Sequence, residues 1–166
     1  MLKDLVSKLT TEQKSLYAAI WRTLKTKGIL LVEAPTGFGK TTLTLNTSLL
    51  FAQKKQFKVI YSARTHEECK KALKSLSLFN SSAKAIIIGG REKFCPMFPS
   101  TDPIVSSMFC NYLRSTESCP YFKNLIEKLS NWKDLPTIAE EICPYYLSRF
   151  TIEKYDLIAI SYFYIF

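Results

Sequence analysis

The chain has 166 residues, 47% of them hydrophobic, and a formal net charge of +9. This is enough for one domain or slightly more with a packed core, which excludes an intrinsically disordered protein. No stretch approaches the ~18 uninterrupted apolar residues of a transmembrane helix, and the N-terminus lacks an apolar signal core. We therefore expect a cytoplasmic protein without membrane contacts, whose positive charge suits a polyanion such as nucleic acid.

The first predicted element is an amphipathic helix over residues 11–26. Leu16, Ile20 and Leu24 recur at every fourth position, Thr11 can cap the start and Gly28 can end the helix. Gln13 lies in its first turn, about twenty residues before the glycine-rich stretch that follows. By itself Gln13 is typical of a solvated helix position.

An apolar run at residues 29–32 predicts a strand, and residues 42–52 predict a helix. Between them, residues 33–41 read EAPTGFGKT. Strand, glycine loop, lysine, hydroxyl and helix in this order are typical of a phosphate-binding loop, in which backbone N–H groups and the helix N-terminus face the phosphates. Lys40 is expected to bind the β/γ-phosphates, and Thr41 is expected to bind Mg²⁺. These two residues are the catalytic candidates. The expected nucleotide contacts are Ala34, Pro35, Thr36, Gly37, Phe38, Gly39, Lys40, Thr41 and Thr42.

Three further strands are predicted at residues 57–63, 84–88 and 156–162, with a helix at 67–78 after the first of them. Arg64, Thr65 and His66 follow that strand directly. Ligands of parallel α/β sheets lie at the carboxyl ends of strands, so these side chains are candidates for a binding surface. The alternative is an ordinary strand–helix turn with a surface arginine. Cys69 is expected in the core.

The character of the chain changes from residue 91 to about residue 146, where prolines, aromatics and cysteines accumulate. Helices are predicted at 121–132 and 138–150. We interpret residues 91–146 as an insertion between residues 1–90 and 147–166 of one α/β domain.

Four cysteines of the insertion, Cys95, Cys110, Cys119 and Cys143, are separated by 14, 8 and 23 residues. Zinc sites usually contain cysteine pairs two to four residues apart, which this spacing lacks. Widely spread single cysteines favour a [4Fe–4S] cluster that holds an irregular segment together. A zinc site and buried free thiols are the two alternatives.

Five segments in this order resemble the N-terminal part of the xeroderma pigmentosum group D (XPD) helicase family. They are EAPTGFGKT at 33–41, YSARTHEE at 61–68, GGREKFCP at 89–96, ICPYYLSRF at 142–150, and a strand beginning at Asp156. The resemblance implies an archaeal member or a paralogue of the superfamily 2 iron–sulfur helicases, which unwind DNA 5′→3′ in repair. It implies a RecA-like parallel-sheet motor domain, here incomplete, with an iron–sulfur insertion.

The same resemblance assigns roles to individual residues. Gln13 would contact adenine, and Arg64, Thr65 and His66 would contact single-stranded DNA. Arg91 matches a basic residue near the cluster and the DNA path. The implied cofactors are ATP, Mg²⁺ and a [4Fe–4S] cluster, and the implied ligand is single-stranded or forked DNA.

The chain departs from the family pattern because it contains no D-E-x-H motif, which supplies the Mg²⁺-binding aspartate and the water-activating glutamate. Glu92 is rejected as a substitute because it lies too close to Cys95. We therefore expect little or no ATP hydrolysis or unwinding by this chain, which would be a truncated reading frame, the first half of a split gene or a fragment. For a split gene, the expected partner is a separately encoded C-terminal helicase half. The alternatives are a non-catalytic iron–sulfur module that binds DNA or ATP, and a small nucleotide kinase, for which the arginine-rich lid is missing.

Overall fold

The computed structural model describes residues 7, 9–77, 83–98, 102–130 and 141–164. The helices with described bounds are Thr11–Thr26 (α1), Lys40–Lys55 (α2), His66–Ser77 (α3), Arg91–Phe94 (α4), Pro103–Ser115 (α5), Pro120–Ser130 (α6) and Pro144–Phe150 (α7). The strands are Val59–Ala63 (β1), Ala85–Ile88 (β2) and Leu157–Ser161 (β3), and short 3₁₀ turns cover Ile152–Lys154 and Tyr162–Tyr164. None of the helices in these ranges combines the length and apolar character needed to cross a bilayer.

The three strands form a parallel sheet in the order β1-β3-β2, which confirms the α/β fold class. Ala159 in the central strand pairs with Tyr61 on one side and Ile87 on the other. Leu157 and Ala159 are fully buried. Since β3 follows the predicted insertion while β1 and β2 precede it, the sheet joins the segments on either side of the insertion.

The main core lies between the sheet and the helices α2 and α3. Its fully buried members are Leu45, Leu49, Ala72, Leu76 and Leu157. Cys69 is completely buried against the sheet, as predicted for a core residue. This packing fixes α2, and with it the phosphate loop, relative to the carboxyl end of β1.

Helix α1 has the predicted bounds, but Thr10 caps it instead of Thr11. The Thr10 hydroxyl accepts from the backbone N–H of Gln13, and the Gln13 side chain accepts from the backbone N–H of Thr10. This is a capping box, in which two N-terminal donors are satisfied reciprocally. The helix ends at Lys27 in the left-handed conformation, with φ of 54°, and not at Gly28.

The predicted strand over residues 29–32 is wrong. These residues adopt no regular structure, and Ile29 and Leu31 are 93% and 92% exposed. A strand needs a neighbouring strand to accept and donate its backbone hydrogen bonds, and residues 29–33 have no hydrogen bond to any described residue. The apolar sequence is therefore present without the pairing that would make it a strand.

The predicted insertion contains helices α4 to α6, the start of α7 and a small core of its own, formed by Cys110, Leu125, Ile142, Cys143 and Tyr146. The helix predicted at 121–132 spans Pro120–Ser130, and residues 131–132 lie outside the described residues. In the described part of the segment predicted as a helix at 138–150, the helix begins at Pro144. Proline is favoured at the first helical position. Residues 138–140 lie outside the described residues.

Helix α5 was not predicted from the sequence. Its start carries a local signal, since Asp102 accepts from the backbone N–H groups of Ile104 and Val105 and Pro103 follows the cap. The predicted domain limits at 90 and 146 stay predictions.

Candidate nucleotide and nucleic-acid site

The phosphate loop makes the tight turn that its glycines allow. Gly37 and Gly39 have φ of 84° and 85°, a region that side-chain-bearing residues rarely enter. Phe38 N–H donates to the carbonyl of Pro35 at 3.3 Å, and Leu43 N–H closes the first turn of α2 on the carbonyl of Gly39. No side chain caps α2, so its first N–H groups and its dipole face the loop.

Gln13 joins helix α1 to this loop. Its side-chain Nε2 donates to the carbonyl of Phe38 at 2.9 Å, while its Oε1 belongs to the capping box of α1. The amide group retains one further donor hydrogen and one further acceptor lone pair. The geometry therefore brings the predicted adenine contact to the edge of the phosphate loop.

Lys40 and Thr41 lie at the beginning of α2. Lys40 Nζ donates to the carbonyls of Ala34 and Pro35, the latter at 2.8 Å, so the ammonium group is folded against its own loop. Thr41 hydrogen bonds with Tyr61 of β1. Burial raises the pKa of Tyr61, and the bond to Thr41 acts in the opposite direction. The loop is thus tied both to α1 and to the sheet.

Beyond the carboxyl ends of β1 and β3 lies a pocket with a volume of about 360 Å³. We call it the basic pocket; it is lined by Arg64, Thr65, His66, Glu67, Lys70, Lys93, Ser161, Phe163 and Tyr164. Ser161 Oγ donates to the carbonyl of Arg64 at 2.9 Å, which joins the two strand ends. Thr65 caps α3 by accepting from the N–H of Glu68.

The charges of the basic pocket are only partly compensated. Lys70 pairs with Glu67 at 2.8 Å, and Arg64 pairs with Glu68 at 3.4 Å across exposed side chains. Lys93 has no ion pair with any described residue. A surface of this kind attracts an anion.

His66 forms the inner wall of the basic pocket. Its ring meets Phe94 edge-on at 5.2 Å, and its Nδ1 is buried without a partner among the described residues. Burial, followed by the nearby charge of Lys70, lowers the pKa of His66. The imidazole is therefore neutral near physiological pH and packs as an aromatic side chain.

Tyr164 closes the other side of the basic pocket and donates to the carboxylate of Glu92. Burial and, to a smaller extent, the hydrogen bond to Glu92 together raise the pKa of Tyr164 to about 12. Glu92 is thus held by a tyrosine hydroxyl.

Arg91 does not line the basic pocket. Its guanidinium donates to Ser107 at 3.2 Å and to the hydroxyl of Tyr146 at 3.1 Å, and it stacks 4.5 Å from the ring of Tyr145. Arg114 also donates to the Tyr146 hydroxyl and lies 4.5 Å from the ring of this residue.

Arg149 completes this group, with its guanidinium 3.6 Å from the ring centre of Tyr145. We call Arg91, Arg114, Arg149, Tyr145 and Tyr146 the arginine–tyrosine cluster. Within the described residues, none of these three arginines pairs with a carboxylate.

The four cysteines of the insertion are free thiols. Cys110 and Cys143 are buried, and Cys95 and Cys119 are half-buried. Burial, with smaller contributions from the nearby thiols of Cys119 and Cys95, raises the pKa of Cys143 to about 11. Cys110 hydrogen bonds with Arg91 and shares the insertion core with Cys143.

The described part of the chain shows no preformed metal site. No group of three or more His, Cys, Asp or Glu side chains in the described ranges is arranged to hold a metal ion. Only the α/β fold with its parallel sheet is confirmed, and the iron–sulfur insertion stays a prediction.

Several residues of these sites were missed by sequence reasoning. The capping role of Thr10 has a sequence signal, because Thr10 lies three residues before Gln13, which is the spacing of a capping box. Tyr61, Lys93 and Tyr164 carry no local signal, because tertiary packing alone brings them to Thr41 and to the basic pocket.

Comparison with known proteins agrees with this arrangement. The profile of the DEAD_2 family matches residues 61–166, which is well over half of the chain. The chain belongs to the DEAD_2 family. The match includes the basic pocket, the cysteines and β3.

Among curated members of similar sequence, human "Regulator of telomere elongation helicase 1" is 27% identical over 127 residues. This alignment covers 65% of the present chain and 10% of the human protein. The Anopheles gambiae homologue is 26% identical over 66% of the chain and 13% of its own length. This DEAD_2 chain thus spans about a tenth of the curated relatives that it matches.

The fold is also that of a solved XPD helicase, with a TM-score of 0.67 and 23% identity over 95% of this chain and 28% of the XPD chain. The resemblance to the N-terminal portion of XPD-like superfamily 2 helicases is confirmed. The archaeal origin that we expected receives no support, since these relatives are from human and mosquito.

Proposed function

We propose that this DEAD_2 chain is the ATP- and DNA-binding N-terminal part of a helicase motor. The observation that carries the proposal is the phosphate loop. Its two glycines adopt the left-handed conformation, and no side chain caps the helix that begins with Lys40 and Thr41. The resemblance to XPD helicases extends the proposal to 5′→3′ unwinding in DNA repair by the complete enzyme.

In the proposed complex, phosphate oxygens replace the carbonyls of Ala34 and Pro35 as acceptors for the ammonium of Lys40. The exchange is favourable because a charged acceptor forms the stronger hydrogen bond. Residues 34–39 and Thr42 surround the triphosphate, mainly through backbone N–H groups. Thr41 ligates Mg²⁺, and Gln13 offers its remaining donor and acceptor to the adenine edge.

Single-stranded DNA is the proposed ligand of the basic pocket. Arg64 and Lys93 attract the phosphates, Thr65 offers a hydroxyl, and His66 is an uncharged wall. Phe163 and Tyr164 are 67% and 41% exposed at the same pocket, where aromatic rings can stack on bases. Combined phosphate attraction and stacking bind a single strand without reading its sequence.

We further propose a [4Fe–4S] cluster on Cys95, Cys110, Cys119 and Cys143. The four thiolates of such a cluster bind four different irons, so they lie farther apart than the ligands of one metal ion. The uncompensated arginines near Cys110 suit an anionic cluster. When bound, the cluster would hold the irregular insertion together.

Hydrolysis is proposed to need groups that these 166 residues do not contain, namely those of a C-terminal helicase half. The chain contains no D-E-x-H motif, so the groups that activate water and stabilise the transition state are not among its residues. The same observation favours the second candidate function, a non-catalytic iron–sulfur module that binds single-stranded DNA or ATP.

Fluorescence anisotropy of a labelled single-stranded oligonucleotide tests the DNA-binding part of the proposal. We expect the double variant Arg64→Ala/Lys93→Ala to weaken binding severalfold and to reduce its salt dependence, because two phosphate contacts are lost. The control is the double variant Lys25→Ala/Lys55→Ala, which removes two exposed lysines from the last turns of α1 and α2. Equal losses in both variants would mean that only net charge matters and that the basic pocket is not the site.

Anaerobic purification tests the cluster. A brown protein with visible absorbance that is lost in Cys143→Ser supports it. A colourless protein containing zinc contradicts it.

A further inference from the structure

Glu68, in the first turn of α3, is bonded to both residues that precede this helix. Its carboxylate accepts from the backbone N–H groups of Arg64 at 3.0 Å and Thr65 at 3.2 Å, and from the Arg64 guanidinium at 3.4 Å. Its own backbone N–H donates to the Thr65 hydroxyl at 3.2 Å. Two of the three residues predicted to contact a single strand are therefore held by one acidic residue.

The two carboxylate oxygens of Glu68 have different tasks. Oε2 accepts from both backbone N–H groups and, together with the Thr65 hydroxyl, forms a capping box at the start of α3. Oε1 accepts from the Arg64 guanidinium. The carboxylate thus fixes the turn through one oxygen and restrains the arginine through the other.

The main chain of Arg64 does not depend on the ion pair. Its N–H donates to Glu68, and its carbonyl accepts from Ser161 Oγ at 2.9 Å. The Arg64 and Glu68 side chains are 71% and 41% exposed, and an ion pair between exposed side chains contributes little to stability. The guanidinium can therefore rotate away while the turn keeps its shape.

We propose that Glu68 is a positioning residue of the basic pocket, which withholds the Arg64 guanidinium until a phosphate of a single strand replaces the carboxylate. This statement rests on the single-strand site proposed above. Carboxylates and phosphates are both anions that accept from arginine, so they compete for the same donors. The strand wins because several of its phosphates act together and release counterions, whereas Glu68 is a single charge.

The restraint is specific to Arg64 among the cations of the basic pocket. Lys70 pairs with a different carboxylate, that of Glu67, and Lys93 has no ion pair with any described residue. In the proposed sequence of events, Lys93 meets a phosphate directly, and Arg64 adds its contact only after the exchange. Glu68 therefore lowers the affinity of the site while it keeps the turn in shape.

The variant Glu68→Gln separates the two tasks. Its amide oxygen can remain in the capping box, in which glutamine is as suitable as glutamate, whereas its NH₂ group cannot accept from Arg64. Anisotropy of a labelled oligothymidylate on the 166-residue chain measures the effect. We expect binding about two- to fivefold tighter, which corresponds to the loss of an exposed ion pair. The slope of log affinity against log salt should steepen by at most about 0.7, the value of one further phosphate contact.

The matched control is the same substitution without the arginine. Arg64→Ala/Glu68→Gln removes the same negative charge beside the strand but has no guanidinium to release, so its gain over Arg64→Ala should be smaller than the gain in the wild-type background. Glu68→Ala also removes the capping box. Its urea midpoint should fall, while that of Glu68→Gln stays near the wild-type value.

Unchanged or weaker binding by Glu68→Gln would overturn the proposal, and so would equal gains with and without Arg64, because net charge alone would then act. A Glu68→Gln variant as unstable as Glu68→Ala would contradict the division of tasks between the two oxygens. Unchanged binding by Arg64→Ala/Lys93→Ala would contradict the single-strand site itself and the role of Glu68 with it. Weakened binding by that variant, with no gain in Glu68→Gln, would overturn the role of Glu68 alone.

Discussion

Gln13 donates through Nε2 to the carbonyl of Phe38 at 2.9 Å, so the first turn of one helix holds the tip of the phosphate loop. The same side chain accepts from the N–H of Thr10 within the capping box. One amide group thus fixes the start of α1 and the shape of the loop together.

The Gln13→Ala variant should lose both contacts. We expect a destabilisation of about 1 kcal/mol, the usual effect of losing a cap, together with weaker ATP binding because the loop is less fixed. Urea denaturation and calorimetric titration measure the two effects. Gln53→Ala, at an exposed position of α2, is the control and should change neither.

Tyr146 accepts from both Arg91 and Arg114, and Tyr146→Phe removes that acceptor while keeping the ring. Two partly buried guanidinium donors then lose a partner, which should cost about 1–3 kcal/mol of unfolding free energy. Tyr112→Phe is the matched control in α5, because Tyr112 is 62% exposed. Similar urea midpoints for the two variants would show that the Tyr146 hydroxyl does not stabilise the insertion.

Leu157 is fully buried in the central strand, so Leu157→Ala leaves a cavity under α2 and α3. We expect a loss of ~2–5 kcal/mol in the free energy of unfolding. Ile60→Ala, in the neighbouring strand at 67% exposure, should cost less than about 1 kcal/mol. Denaturant midpoints compare the two, and equal losses would contradict the described sheet.

His66 is the only histidine of the chain, so its imidazole can be titrated by NMR without assignment. We expect a pKa below the usual ~6.5, because burial and Lys70 disfavour the charged ring. Because the pKa of His66 is lower in the folded chain, the unfolded chain binds the proton at a higher pH. The contribution of His66 to stability is therefore full above about pH 6.5 and falls as the pH decreases towards the folded pKa. A pKa at or above the usual value would contradict the burial of the His66 ring in the wall of the basic pocket.

Local sequence signals predicted the parts of the molecule that depend on local chemistry. The loop conformation follows from Gly37 and Gly39, and α1 follows from its apolar spacing. The parallel sheet was predictable because its strands are short apolar runs. Arg64, Thr65 and His66 lie together at one strand end for the same reason.

Features that need distant partners could not be predicted in this way. Residues 29–32 have the composition of a strand but no described strand beside them. Arg91 turns towards Tyr146, 55 positions away, because the insertion core forms there. Lys93 and Tyr164 meet in the basic pocket only after β3 has paired with β1.

Calorimetric titration of the 166-residue chain with Mg²⁺–ATP, combined with a phosphate-release assay, tests the central claim most directly. We predict saturable binding that Lys40→Ala abolishes and Lys55→Ala retains, with no Lys40-dependent release of phosphate. Binding that survives Lys40→Ala would contradict the assignment of the phosphate loop. Sustained Lys40-dependent hydrolysis by the chain alone would contradict the separation of ATP binding from turnover.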